Sequence, residues 1–473
     1  MALSPIDDLN RLYAKLKRRA GKAEVWSNYY NGDVPLKFAS PEFKGQTGAL
    51  FDDFSDNWCQ VVPDATVERL VPIAFRLNDG TIDSKAWDAW RRNEADVEVG
   101  LAFLEALIAG RSFGLVWKPD GINTEITFHD VRQAYVDYVP GKRRQRRAGL
   151  LIWRDGNQER ASLFYPDAVF LFVRTMDDAY GFALNDSAGW MSVGTLPNPL
   201  GVVPLVALEN RARLRGKPTS EIASVAPLQD SVNTLWAHLM TAADERAVPA
   251  RAVLGMDRPT KEILDEDGEV IGEEDLPIDR FRRDRLLWLE REGASIAEFS
   301  AADLTNYTSV IETAVRHIAA QTRTPPSYLT GEMVNISADA LVASEAGLVA
   351  KVQERQRYFG AALRELMRLE ALAAGDAARA EALSMGSVVW RDAQFRSEAQ
   401  YADALTKYKA INVPDEALWE RMPDTTPEEI ERWKSMRDDQ AAAIVGGNIA
   451  GLFGAKPDDT ATEPDPAALP AAQ

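Results

Sequence analysis

Asp52, Asp53 and Asp56 place three carboxylates within five residues. Aspartates can hold a divalent metal that activates water against a phosphodiester, so a metal-dependent nuclease built on these scattered carboxylates is one reading of the chain. The other catalytic vocabulary is missing. No Gly-x-x-x-x-Gly-Lys-Ser/Thr loop cradles a nucleotide phosphate, no His-Glu-x-x-His supplies metal ligands, and no Gly-x-Ser-x-Gly elbow presents a nucleophile. His129, His238 and His317 are far apart in sequence, the last two within helical patterns, and read as packing or surface residues. The run Asp265-Glu266-Asp267-Gly268-Glu269 has calcium-loop composition but not its order, since an EF-hand needs alternating ligands, a glycine at the sixth position and a distant glutamate; it reads as a hairpin turn. The single cysteine, Cys59, makes no intrachain disulfide or thiolate metal site and fits a reducing compartment. No cofactor and no metal are expected.

Charge is distributed in blocks. Residues 262–279 hold nine carboxylates and no lysine or arginine, and Arg280, Arg282, Arg283 and Arg285 follow directly. Such a segment can repel phosphate while Glu273, Glu274, Asp275, Arg280, Arg282 and Arg283 offer docking charges to a partner. Lys142-Arg143-Arg144-Gln145-Arg146-Arg147 is the opposite block, at a hairpin tip that reads as a solvated turn able to touch DNA or protein. The net charge of −18 argues against general nucleic-acid adhesion, which needs cations that displace counterions from phosphate.

Elements that must position these residues follow from periodicity. With 473 residues and 46% apolar composition, the chain can fill several cores, about three ordinary domains' worth. No apolar run reaches the ~20 residues of a membrane span, so a soluble protein is expected. Ser4-Pro5 with Asp7 and Asp8 predicts a capped helix ending near Lys15, Lys17, Arg18 and Arg19, a charge order opposite to that of an export signal. Trp87, Trp90, Val97, Leu101, Leu104 and Ile108 predict a helix up to Gly110. Short apolar runs at 113–117, 126–128, 134–139, 150–153, 161–165 and 169–173 predict antiparallel hairpins, with 196–206 as the exit from that region.

Two one-sided helices come next. Val225, Leu228, Val232, Leu235, Leu239 and Ala242 mark the first, over residues 220–246; Leu304, Tyr307, Ile311, Ala314 and Ile318 mark the second. Each needs neighbours along its stripe. Between them, 250–254, an Asp267-Gly268 turn and 286–289 predict a small β-containing insert. A longer helix follows through Leu341, Leu348, Val352, Phe359, Leu363, Leu366 and Leu369 to about Ala374, where Gly375-Asp376 stops it; 388–392 suggests a last strand. Short helices are predicted at 400–410, 414–420 and from Thr426, and the Ala/Pro/Asp/Thr-rich tail from Gly454 is too poor in apolar mass to fold alone.

Residues 322–351 join these pieces. The helix must stop before Pro325-Pro326, a short loop with Gly331 and Asn335 follows, and Ser337 offers an N-cap to the long helix. This stretch, and more weakly residues 389–403, resembles the portal (head-to-tail connector) proteins of long-tailed bacteriophages. The resemblance implies an α+β portal architecture: an N-terminal wing region of helices and antiparallel sheet at 1–218, a first stem helix at 219–247, a small β-containing clip at 248–301 and a second stem helix at 302–323. A tunnel loop at 324–340, a long wing helix with return strand at 341–392, a helical crown at 393–453 and a mobile tail at 454–473 complete it. It implies no enzyme, but a structural homo-oligomeric ring, usually of twelve subunits, assembled in the host cytoplasm and placed at one capsid vertex of the virion. Double-stranded DNA would pass through the channel, past Gly331, Glu332, Met333, Val334, Asn335, Ile336 and Ser337. Large terminase and a head-completion or adaptor protein would dock on the clip, and scaffold and major capsid protein on the wing. Val225, Leu228, Val232, Leu235, Leu304, Tyr307 and Ile311 would pack the stem in the ring. No membrane partner is implied. The alternative is the metal-dependent nuclease, or another phage-encoded enzyme.

Overall fold

The computed structural model describes residues 4–47, 56–118, 121–175, 189–214, 216–247, 251–254, 260–264, 270–275, 286–289, 295–298, 304–331, 338–394, 398–422 and 425–453. The chain is α+β and divides into two compact units, Met1–Phe395 and Arg396–Gln473.

In the first unit, α1 (Pro5–Asn31) starts as its sequence dictates, with the Ser4 hydroxyl accepting from the Asp7 amide and Pro5 in the first turn. It does not end at Lys15–Arg19. No residue there stops a helix, so those cations sit mid-helix and Gly32, at φ 86°, ends it. Short helices α2 (Pro41–Thr47) and α3 (Trp58–Val67) precede β1 (Pro72–Arg76). The single helix expected across Trp87 to Ile108 is two, α4 (Ser84–Arg92) and α5 (Ala95–Ala109), because Glu94 takes a left-handed conformation between them. Its buried stripe also differs. Val97 and Leu101 are 68% and 66% exposed while Val99, Phe103, Ala106 and Leu107 are buried; α5 is apolar around most of its circumference, so spacing alone did not choose the inward face.

The predicted hairpins form β2 (Arg111–Trp117), β3 (Glu125–His129), β4 (Ala134–Tyr138), β5 (Arg146–Asp155), β6 (Gln158–Phe164) and β7 (Ala168–Thr175). The stretch expected as an exit instead carries the end of β8 (Met191–Pro197) and the start of β9 (Leu205–Glu209). All pairings here are antiparallel, in a five-stranded sheet ordered β4-β5-β6-β7-β8 and a three-stranded sheet ordered β3-β2-β9.

A 3-10 turn (Ile222–Ser224) leads into α6 (Ala226–Ala247). The insert follows as β10 (Arg251–Leu254), β11 (Thr260–Leu264), β12 (Val270–Asp275), β13 (Leu286–Leu289) and β14 (Ser295–Glu298). Strand β10 lies between β13, which is parallel to it, and β14, which is antiparallel; β11 and β12 form an antiparallel hairpin. Then come α7 (Thr305–Thr322), a short α8 (Pro326–Thr330), α9 (Ala338–Ala373), α10 (Ala377–Ser384) and β15 (Ser387–Trp390). Helix α9 has 36 residues, ~54 Å at 1.5 Å per residue. It stops at Gly375, φ 82°, as expected, and β15 returns to pair antiparallel with β1.

The largest core lies where α9 crosses α4, α5 and the three-stranded sheet, with Trp90, Phe103, Phe359, Leu363 and Leu366 fully buried. Phe103 and Phe359 stack with ring centres 4.9 Å apart. In the second unit, α11 (Glu398–Ala410), α12 (Asp415–Trp419) and α13 (Pro427–Phe453) match the three short helices expected there in number, and the last is longer. Thr426 and Glu429 form a reciprocal capping box at its start. The tail from Gly454 lies outside the described residues.

Candidate functional site

The stem residues come together. Val225, Val232 and Ile311 are buried, and Leu228, Leu235, Leu304 and Tyr307 are half-buried in the same apolar cluster of α6 and α7. Cys59 and Val62 of α3 join that cluster, so the stripe expected to need ring neighbours is largely filled from within the chain. Long-range docking of α3 is invisible to local periodicity. Val310 on α7 and Met240 on α6 remain open, at 52% and 40% exposure.

The polar side of α6 is anchored as well. Gln229 accepts from the Trp58 amide at 2.9 Å and donates to the Asp56 carbonyl at 2.6 Å. Buried Asp230 accepts from the Tyr29 hydroxyl at 2.8 Å and pairs with Lys37 at 3.2 Å. Asp56, one of the three candidate metal ligands, accepts from the Trp236 indole at 2.9 Å and so fastens the segment before α3 to the stem. Asp52 and Asp53 lie outside the described residues, and among those described no group of three His, Cys, Asp or Glu could hold a metal. Burial pushes the Cys59 thiol up to about 12, which leaves it a packing residue. His238 packs edge-on against Phe43, and His317 is exposed.

The docking candidates Glu273, Glu274 and Asp275 lie on β12, where Glu273 pairs in register with Glu262, Glu274 with Lys261 and Asp275 with Thr260. Arg280, Arg282 and Arg283 lie outside the described residues. The basic turn at the β4–β5 hairpin is partly committed inside the chain. Arg146 pairs with Glu365 at 2.6 Å, and Arg147 with Asp8 and Asp137, each at 2.7 Å; Lys142, Arg143 and Arg144 are exposed.

Around the loop candidate, α7 ends at Arg323 in a left-handed conformation. Pro325-Pro326 does not open directly into a loop: Pro326 serves as the first residue of α8, a role proline's fixed φ suits, and exposed Gly331 ends it at φ 66°. Glu332, Met333, Val334, Asn335, Ile336 and Ser337 lie outside the described residues, and α9 begins at Ala338. Arg69 clamps both flanks of this segment, donating to the Tyr328 hydroxyl of α8 at 2.8 Å and to Glu345 of α9 at 3.0 Å. Burial opposes the Arg69 charge, but these two partners outweigh it and raise its pKa.

Two to three turns further along α9 is a buried polar cluster that the sequence reading missed. Glu221 accepts from Arg355 at 2.6 and 2.9 Å and from Asn210 at 3.1 Å, and Lys351 donates to the Thr322 carbonyl at 3.0 Å. The signal was present. Lys351 and Arg355, four residues apart, share a helix with buried Leu348 and Val352. Together these contacts bind the start of α6, the end of α7 and the body of α9 into one junction.

Two helices interrupted by a β insert lead through a clamped segment into a long core helix, and the described residues where they meet are engaged in packing and ion pairs. The chain belongs to the family described as phage portal protein, SPP1 Gp6-like, whose family model matches residues 9–443. It is 29% identical over 429 residues to the portal protein of Mycobacterium phage L5, covering 87% of this chain and 84% of that relative. With the portal protein of Mycobacterium phage D29 it is 29% identical over 414 residues, covering 83% and 81%. Among solved structures it is similar to a chain from the virion of a native gene transfer agent particle (TM-score 0.44, 14% identity, 83% of this chain and 96% of that one). Another is from the neck of the native particle computed with C12 symmetry (TM-score 0.43, 13% identity, 81% and 92%). The nuclease reading gains no support from any of these.

Proposed function

We propose that this portal-family chain works as one subunit of a closed homo-oligomeric ring, of twelve copies, at a single capsid vertex. Double-stranded DNA passes through its lumen during packaging and ejection. What carries the reading is the family match across residues 9–443, and the order of helix α6, β insert and helix α7 supports it. In this reading the insert at 248–301 is the clip on which large terminase and then a head-completion protein dock, with Glu273, Glu274 and Asp275 presenting charge. Scaffold and major capsid protein meet the wing, and the assembly, completed in the host cytoplasm, stays in the virion. The subunit contributes no turnover of its own.

Residues 331–337 border the channel. Gly331 and the amide and small side chains of Asn335 and Ser337 bring no cation to grip phosphate, which suits a surface that DNA must slide past. Deleting 331–337 is expected to leave ring assembly intact and to impair packaging or retention. The length and yield of packaged genomes test this: full-length genomes at parental yield would overturn the channel role of the segment.

A further inference from the structure

A groove runs along α9 beside the β4–β5 turn and β9. Its wider part encloses about 840 Å³ and is lined by Arg143, Arg144, Arg146, Arg364 and Arg368 against only two carboxylates, Glu209 and Glu365. In a chain of net charge −18, such a cationic concentration needs a reason. Both carboxylates are already engaged. Glu365 accepts from Arg146 at 2.6 Å and from Arg368 at 2.7 Å, and Glu209 pairs with Arg111 at 3.1 Å. Among the described residues, Arg143, Arg144 and Arg364 have no carboxylate partner; Arg143 reaches the Arg213 carbonyl at 3.4 Å and Arg364 the Gly386 carbonyl at 3.3 Å.

We propose that this groove docks an acidic, extended peptide segment of a partner protein. Arg357, Ala361, Arg364 and Arg368 follow one another on α9 in steps of four, three and four, so they share a face. Ala361 and Arg364 also line an adjoining cavity of about 600 Å³ that reaches Arg357 and Trp390, which makes the two hollows one trough. Small Ala361 and Ala362 lower its floor between the guanidinium groups, room for a main chain. From Arg357 to Arg368 the helix rises ~16 Å, the span of about five extended residues. Carboxylates on such a strand would meet Arg144, Arg364 and Arg357, and guanidinium forks bind carboxylate oxygens in pairs.

The test uses the full chain and a fluorescein-labelled eight-residue peptide alternating Glu and Ala, read by fluorescence polarisation across a salt series. Saturable binding is expected, weakening with salt. R143E/R144E, both exposed, and separately Arg364→Gln should each weaken it by about tenfold or more at low salt. R18E/K22E, the same charge change on the exposed side of α1, should leave it unaltered. Matching thermal melts show that the variants are folded. No saturable binding by the parent at low salt, or equal loss in R18E/K22E, overturns the proposal. So does competition by a short DNA duplex at peptide-equivalent concentration, since the groove would then read bulk negative charge.

Discussion

Lys351 Nζ donates to the carbonyl oxygen of Thr322 at 3.0 Å, tying α9 to the last turn of α7. Helix C-termini leave their carbonyls without intrahelical donors, so this lysine closes one of them in a buried site. Burial brings Lys351 down from its ordinary 10.5 to about 8, with Glu221 working the other way. The unfolded chain therefore holds more protons between pH 8 and 10.5, and stability contributed at this position rises across that window. Lys351→Met should abolish the rise, so that the parent gains up to about 3 kcal/mol on the variant between those limits. Urea unfolding at intervals of pH checks it, and parallel curves would contradict it.

Glu221 and Arg355 form the neighbouring buried pair. Burial alone would raise the Glu221 carboxyl, but Lys351 and Arg355 outweigh it and hold it below the usual carboxylate range. Its contribution is thus present above that range and is lost as the pH falls through its folded value. Glu221→Gln should cost about 3–5 kcal/mol by leaving Arg355 only the solvent-exposed Glu354 as a carboxylate partner, whereas E221L/R355M should recover most of this and unfold less readily in acid. Equal stability of the single and double variants in denaturant titrations would refute the pairing.

Arg69 makes a prediction about the segment between α8 and α9. Arg69→Gln removes the charge that joins Tyr328 to Glu345, at a cost of about 1–2 kcal/mol. Amide hydrogen exchange should speed up across residues 326–345 and stay unchanged in the β4–β8 sheet. Uniform acceleration would mean that the clamp is global and not local.

Packing of α9 on the sheet turns on Gly114. A Cβ there would lie 2.6 Å from Leu366 Cδ1, so Gly114→Ala should destabilise by about 1–3 kcal/mol. Adding Leu366→Val, which shortens the opposing side chain, should return part of that loss in thermal melts. If the two effects simply add, the contact is not the cause.

Much of the architecture was legible because it is written locally. Ser4-Pro5, Gly375 and the Thr426–Glu429 box announce helix ends through backbone chemistry confined to a few residues, and short apolar runs between turn residues announced the strands from β2 to β7. Contacts between distant segments were not legible. Nothing near Val225 or Ile311 shows that α3 fills their shared face, nothing in 387–390 names β1 as its partner, and β9 looked like an exit because its pairing with β2 spans some ninety residues. The buried cluster at Glu221, Lys351 and Arg355 was missed for a related reason: charged residues read as solvated until their partners, set by tertiary packing, are known.

Ring formation is the claim on which the rest depends. Head-to-tail contacts close only through rotation, so the purified chain, alone or co-expressed with its scaffold, should appear in electron-microscopic class averages as a closed cyclic ring with a central channel, and the clip should form one rim. A stable two-fold dimer that buries Val310 and Met240 across its axis, in place of any ring, would contradict the account.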